Sequence, residues 1–254
     1  VELVTPATIL SALPHGEHGA VVRLLTPGHG LRAGYVRGGR SRALRPVLAP
    51  GNRVQARLRA RTAEQLAQLT VEPERSRAAL ALDAATAAGL GWVTALLAAA
   101  LPEDDPHPPL FDALEALLES MAGEPLPAWA ADLARLERDL LAELGFGLDL
   151  AACALSGSRD ELAFLSPRTG RAASRAAGAP WAQRLLALPP LLLPASAGPA
   201  PPDHIIAALA ATGHFLRRDA LGEAWARLEP ARARLLALVD KSAAAPPAPA
   251  MGSP

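Results

Sequence analysis

Arg37, Arg40, Arg42 and Arg45 fall on a stretch broken by Gly38 and Gly39, with no carboxylate from Tyr35 to Arg45. That combination suits a polyanion. Guanidiniums are planar forks that match phosphate oxygens, and paired glycines let backbone come close to one. The competing reading is a solvated basic turn. Lys241 is the only lysine, so the abundance of arginine says little, whereas its placement is informative.

Other residues that could do chemistry are less well arranged. The lone lysine follows no glycine pattern, so a phosphate-cradling ATPase loop is absent. His15 and His18 bracket Gly-Glu in a predicted turn, not on the helix that would align two zinc ligands. Ser156 and Ser158 flank Gly157 without a nucleophile elbow. Glu103, Asp104 and Asp105 could hold magnesium in a nuclease or phosphohydrolase, although three carboxylates between prolines also describe a solvated connector.

The elements that must position these residues change character along the chain. Ala7 to Leu13, Ala20 to Thr26, Leu31 to Val36, Arg53 to Arg61 and Leu66 to Val71 read as short strands separated by Pro/Gly turns. In the fourth, Val54, Ala56, Leu58 and Ala60 alternate with Arg53, Gln55, Arg57, Arg59 and Arg61. Period two predicts a buried face and an arginine ladder in solvent. Arg53 and Arg57 therefore join the four loop arginines as candidate contacts to a polyanion. Five short strands within residues 1–73 predict a closed barrel of the OB type, a fold whose outer face commonly binds single-stranded nucleic acid. Tyr35 is the only aromatic residue before Trp92 apart from histidine, so no stacking platform is expected and contacts should go mainly to phosphate.

After Pro73 helices take over, and residues 74–241 are expected to form a helical domain, α+β overall. Ser76 to Leu101 should be a helix bent or split at Gly89 and Gly91, Pro102 to Pro109 a rigid connector, and Leu110 to Met121 the next helix. Trp129, Leu133, Leu136, Leu140, Leu141 and Leu144 share one stripe, with Arg135, Glu137 and Arg138 off it and Gly145 at the cap. Phe146 to Leu193 reads as irregular and Ala195 to Pro202 as a linker. Asp203 to Leu216 and Ala220 to Val239 read as closing helices, and Ser242 to Pro254 as a disordered Ala/Pro tail.

Zero net charge conceals a partition: +8 from Val1 to Arg61, −13 from Thr62 to Leu162 and +5 from Ala163 to Pro254. One cysteine, Cys153, excludes an intramolecular disulfide. No leucine-rich stretch reaches the roughly 18 to 20 apolar residues of a spanning helix, and Val1 to Pro14 lacks a signal-peptide pattern, so a soluble cytoplasmic protein is expected.

Several segments in this order resemble the RecO family of bacterial recombination mediators. They are His15-Gly-Glu, Leu24-Leu-Thr-Pro-Gly-His-Gly30, Val36-Arg-Gly-Gly-Arg40, Pro50-Gly, Leu140 to Leu150 with its Leu-Gly-Phe-Gly-Leu core, Ser166-Pro-Arg-Thr-Gly-Arg171 and Thr212-Gly-His-Phe-Leu216. The resemblance implies an OB barrel followed by a helical domain and a non-enzymatic activity without cofactor. That activity would be binding single- and double-stranded DNA, annealing complementary strands and, with RecR, helping RecA replace the single-strand-binding protein SSB. It puts Arg37 and Arg40 in the family's basic loop, extended here by Arg42 and Arg45. Many relatives carry a four-cysteine zinc site. The corresponding positions here are Cys153, Ser156, Ser174 and Ala177, so no metal is expected and the loop should be held by packing around a buried thiol. Arg135 and Arg138 are the candidate cations for the acidic SSB tail, unless they pair with Asp132, Glu137 or Asp139 along their own helix. Besides a metal-dependent nuclease, a pure protein adaptor remains an alternative.

Overall fold

Alternating burial builds the N-terminal third of the chain. The computed structural model describes residues 2–62, 65–194, 196 and 198–244. Its first elements are β1 (Glu2–His15), β2 (Gly19–Thr26), β3 (Gly30–Val36), a one-turn helix α1 (Leu44–Val47), β4 (Arg53–Arg59) and β5 (Ala67–Arg75). β1 extends beyond the expected segment at both ends, and β4 stops two residues early. β2 pairs antiparallel with β1 and β3, and β4 pairs antiparallel with β1 and β5. The ring closes where β3 meets β5 in parallel at Gly34–Ala67 and Tyr35–Gln68. This is the five-stranded OB arrangement, with Ile9, Val22, Leu24, Val54, Ala56, Leu58 and Leu69 inside.

A short 3-10 turn (Ala78–Ala81) leads into α2 (Ala84–Ala100). The helix begins at Ala84 and not at Ser76, because the Asp83 carboxylate accepts the Ala85 and Thr86 amides at 2.9 and 3.0 Å. Gly89 and Gly91 do not break it. A Cβ on Gly89 would lie 2.8 Å from Trp129 and 2.9 Å from Met121, so that glycine permits close helix packing rather than a bend. α3 (Pro108–Gly123) and α4 (Leu126–Glu143) follow. The α4 stripe is buried from Trp129 to Leu141, Leu144 is half-buried, and Gly145 takes φ +83° as its cap position requires.

The region read as irregular contains a small sheet. β6 (Leu162–Leu165) lies between β7 (Ala172–Ser174) and β8 (Leu186–Ala187), with α5 (Arg175–Gly178) following β7. The C-terminal part is therefore mostly, not wholly, helical. α6 (Pro202–Phe215) continues through a π-helical turn (Leu216–Leu221) toward α7 (Trp225–Ala244). Ser242, Ala243 and Ala244, read from composition as the start of a tail, extend α7, as alanine's helix propensity allows. The remainder of that tail, 245–254, lies outside the described residues, as do 195 and 197 of the proline-rich linker.

The barrel interior is one core and the helical part another, and Leu10, Leu25 and Leu31 of the barrel belong to the second, in one cluster with Leu97, Leu101 and Leu114. Around it, the acidic helical half receives the basic barrel. Arg23 meets Glu103 at 3.1 Å, Arg53 meets Glu115 at 3.0 Å, and Arg75 meets Glu119 at 2.5 Å. Arg32 pairs with Asp104. The charge segregation along the sequence is thus partly an internal contact. No helix among the described residues is long and apolar enough to cross a membrane.

Candidate nucleic-acid interface

The arginine-rich loop occupies one end of the barrel. β3 ends at Val36, Gly38 adopts φ +69°, and the Gly39 amide bonds to the Val36 carbonyl at 3.2 Å. A Cβ on Gly39 would lie 2.8 Å from Ala20, so the turn sits directly on β2. Arg37, Arg40, Arg42 and Arg45 are all exposed. Arg40 donates to the Gly16 and Glu17 carbonyls at 3.1 and 3.0 Å, which lays it along the β1–β2 turn with other N–H groups left over. Arg37, Arg42 and Arg45 have no carboxylate within ion-pair distance among the described residues. Two open concavities adjoin the loop. One lies among Ala12, Pro14, Ala20, Arg40, Arg45 and Leu48, and the other is bounded by Arg40, Arg42, Arg45 and Pro46.

Asn52 supports this loop from beneath. It is buried, and its Nδ2 donates to the Pro46 and Val47 carbonyls at 2.7 and 3.1 Å, satisfying the free end of α1. Its Oδ1 accepts the Arg77 amide at 2.8 Å. Arg77 in turn donates to the Gly51 carbonyl at 2.9 Å and to Glu115 and Glu119, both at 2.8 Å. Glu115 also receives the Thr8 hydroxyl at 2.5 Å. Burial alone would raise the Glu115 carboxyl, but hydrogen bonds from Arg77, then Thr8, and with Arg53 beyond them, hold it below its ordinary range.

The ladder on β4 is less open than its alternation predicts. Arg53 is split between Glu74 at 3.2 Å and Glu115 at 3.0 Å and lies over the Phe111 ring at 5.6 Å. Arg57 and Arg59 share Glu2 at 2.9 and 3.0 Å. Period two identifies which residues point outward, but not that a neighbouring strand and helix supply carboxylates there.

The other candidate groups are dispersed or engaged. Glu103 and Asp104 each face a barrel arginine, and Asp105 lies 3.6 Å from His107. Among the described residues no three His, Cys, Asp or Glu side chains converge as metal ligands. Arg135 donates to Asp132 at 2.8 Å and to the Gly198 carbonyl at 2.7 Å. Arg138 is held by Asp139 at 2.7 Å and by the Leu192 carbonyl at 3.1 Å. Cys153 is buried, and it hydrogen-bonds to Ser156 and Ser174, while Ser174 Oγ takes the Ala177 amide at 3.4 Å. All four positions thus come together, joined by hydrogen bonds as well as packing. The Ser156 hydroxyl, then the Ser174 backbone, lower the Cys153 thiol to about 6.

An OB-type barrel with an arginine-rich rim, fixed to a mainly helical domain, defines the class of architecture. Residues 2–77 match the family described as Recombination protein O N terminal, and residues 81–227 match Recombination protein O C terminal. The chain is 49% identical over 239 residues to the DNA repair protein RecO of Rhodospirillum centenum, covering 93% of this chain and 94% of that protein. It is 48% identical over 237 residues to the protein of that name from Phenylobacterium zucineum, covering 93% and 96%. With that of Rhizobium etli it shares 50% over 214 residues, covering 84% and 82%. The chain belongs to the RecO family of DNA repair and recombination proteins.

Proposed function

We propose that this chain is a non-enzymatic recombination mediator. Its barrel rim grips the DNA backbone, and it anneals complementary strands by screening the phosphates of two strands together. The observation that carries the reading is the contrast within one barrel. Arg23, Arg32 and Arg53 are matched by carboxylates of the same chain, whereas Arg37, Arg42 and Arg45 are exposed without one among the described residues. Exposed unpaired cations on one rim are where counterions are released to a polyanion. Arg40, with spare donors, belongs to the same surface. Arg57 lies farther along the barrel and would have to share Glu2 with a phosphate.

The partners proposed are RecR, the acidic tail of SSB and, indirectly, RecA, in the cytoplasm where the DNA is. Their support is family membership. For the SSB tail, Arg135 and Arg138 would exchange their present oxygen partners for the peptide's carboxylates. In the domain organisation proposed, the barrel module runs through residue 73 and the helical module from 74 to 241. The barrel's last strand reaches Arg75, and the first turn of the helical half begins at Ala78.

Binding of a short DNA across salt concentrations tests the reading. If four to six phosphates are neutralised, the log-log slope should be roughly −3 to −5. Replacing Arg37, Arg40 and Arg42 with alanine should flatten it by about 2 to 3 and slow annealing of SSB-coated strands. A flat wild-type response overturns the proposal, and shortened DNA strands in the presence of magnesium would favour a nuclease instead.

A further inference from the structure

The strand register places an unassigned aromatic site beside the basic loop. Across the outer face, Leu13 pairs with Val21, Val21 with Tyr35, and Tyr35 with Gln68. Gln68 in turn pairs with Arg59. One transverse row therefore crosses all five strands. Leu13 is 63% exposed, Gln68 is exposed, and Val21 and Tyr35 are half-buried. The Tyr35 ring lies over Gly19, where a Cβ would collide with it, and the exposed His15 ring meets it edge-on, 5.9 Å between centroids at 81°. Arg37 follows Tyr35 by two residues, and Arg40 lies on the Gly16 and Glu17 carbonyls of the turn that joins His15 to Gly19. Tyr35 thus has Val21 and Gln68 as its row neighbours and the His15 ring on its edge, with Arg40 on the adjoining turn.

The rest of this outer face is less available. Arg23 donates to the Ala98 carbonyl at 2.6 Å and to Glu103, and Arg32 pairs with Asp104, so the connector after α2 covers the far end of β2 and β3. Among the described residues the connector makes no ion pair with the Tyr35 end. In the barrel's own fold, strands 2 and 3 and the loop after strand 1 form the face on which single strands lie.

We propose that Tyr35, flanked by His15 and Val21, seats an unpaired nucleobase while Arg37 and Arg40 hold its phosphates, making this corner a single-strand subsite. A base is the occupant because it offers a flat ring to Tyr35 and an adjoining anion to the loop. Duplex DNA hides its base faces in the stack and offers only the anion. The inference rests on the DNA-binding reading proposed above and adds what that reading lacks, a means of telling one strand from two.

The test compares two single strands of equal length and charge, oligothymidylate and the same backbone made abasic. Wild-type protein should bind the base-bearing strand more tightly by roughly fivefold to a hundredfold, the range one stacked base contributes. Tyr35→Ala should abolish that difference and leave duplex affinity and the salt slope unchanged, and Tyr35→Trp should retain it. Should the alanine variant fail to fold, ultraviolet crosslinking of an iodouracil-bearing strand to wild-type protein must map to the peptide containing Tyr35. Equal, salt-sensitive affinity of the wild type for both strands overturns the subsite and leaves the backbone-binding reading standing. Binding to neither strand nor duplex overturns both.

Discussion

Arg232 on α7 and Glu137 on α4 meet fork to fork inside the helical domain, Nη2 to Oε2 at 3.0 Å, both essentially without solvent contact. The pair is fully dressed. Trp92 Nε1 donates to Glu137 at 2.6 Å, Thr212 donates to the same carboxylate, and Arg232 also donates to the Leu209 carbonyl. The guanidinium lies 4.7 Å from the Trp92 ring and 5.9 Å from that of Trp225. Four helical segments are thereby tied through one carboxylate.

Removing either partner strands the other charge in the core. Glu137→Ala and Arg232→Ala should each lose about 3 to 5 kcal/mol in urea unfolding, whereas an apolar pair of similar volume at both positions should lose much less. Because Arg232 contacts two indoles, each variant should also shift native tryptophan emission.

The clamp between the domains should show itself through pH. Glu115 has an ordinary value of 4.5 and a lowered one in the fold. Above 4.5 the carboxylate is ionised whether the chain is folded or not, so its stabilising contribution is complete. The contribution is lost progressively as pH falls from there through the folded value, because the unfolded chain takes up the proton first. Unfolding measured from about pH 6 to about pH 3 should give a shallower loss for Glu115→Gln than for wild type.

Two arginines ten or so residues apart should behave oppositely. Arg53→Ala breaks contacts with Glu74, Glu115 and Phe111 and should lower stability by about 1 to 2 kcal/mol while changing DNA affinity little. Arg42→Ala should leave stability within about 0.5 kcal/mol and weaken binding at low salt. Thermal unfolding and a salt titration on both variants separate the roles.

Neighbouring glycines of α2 should also diverge. A Cβ at Gly91 meets nothing within 4 Å, so Gly91→Ala should stabilise by up to about 1 kcal/mol through helix propensity. At Gly89 the same change strikes Trp129 and Met121 and should destabilise by about 1 to 3 kcal/mol, less the propensity gain. Denaturant midpoints decide the signs.

Cys153 should titrate as an acidic thiol with a midpoint of about 6, read from ultraviolet thiolate absorbance. Ser156→Ala should move that midpoint upward, because the serine hydroxyl is the strongest influence holding it down.

Much of this was legible in the residues because local patterns report faces. Alternation from Arg53 placed Val54, Ala56 and Leu58 inside, and the 3.6-residue stripe from Trp129 to Leu141 found the core side of α4. What a face meets is nonlocal. Glu137 lies off the stripe and reads as surface, yet its partner arrives 95 residues later. The ladder on β4 points outward as its alternation predicts, but its partners are hidden for the same reason, since Glu74, Glu115 and Glu2 come from elsewhere in the chain. The sheet of β6, β7 and β8 has strands of four, three and two residues, too short for any period to register. For the candidate site, the loop arginines and their glycines were plain. Tyr35 reads in the sequence as a lone aromatic, and only the fold brings His15 and Val21 beside it.

The barrel's narrowest join is the β3–β5 contact, two residue pairs in parallel where every other seam has at least seven. Amide exchange should be fastest there, and thermal breathing should part Tyr35 from Gln68 before it disturbs any other seam. A polynucleotide lying across that row would act as a suture, so cargo and cylinder would close each other, and an empty barrel would be the looser one.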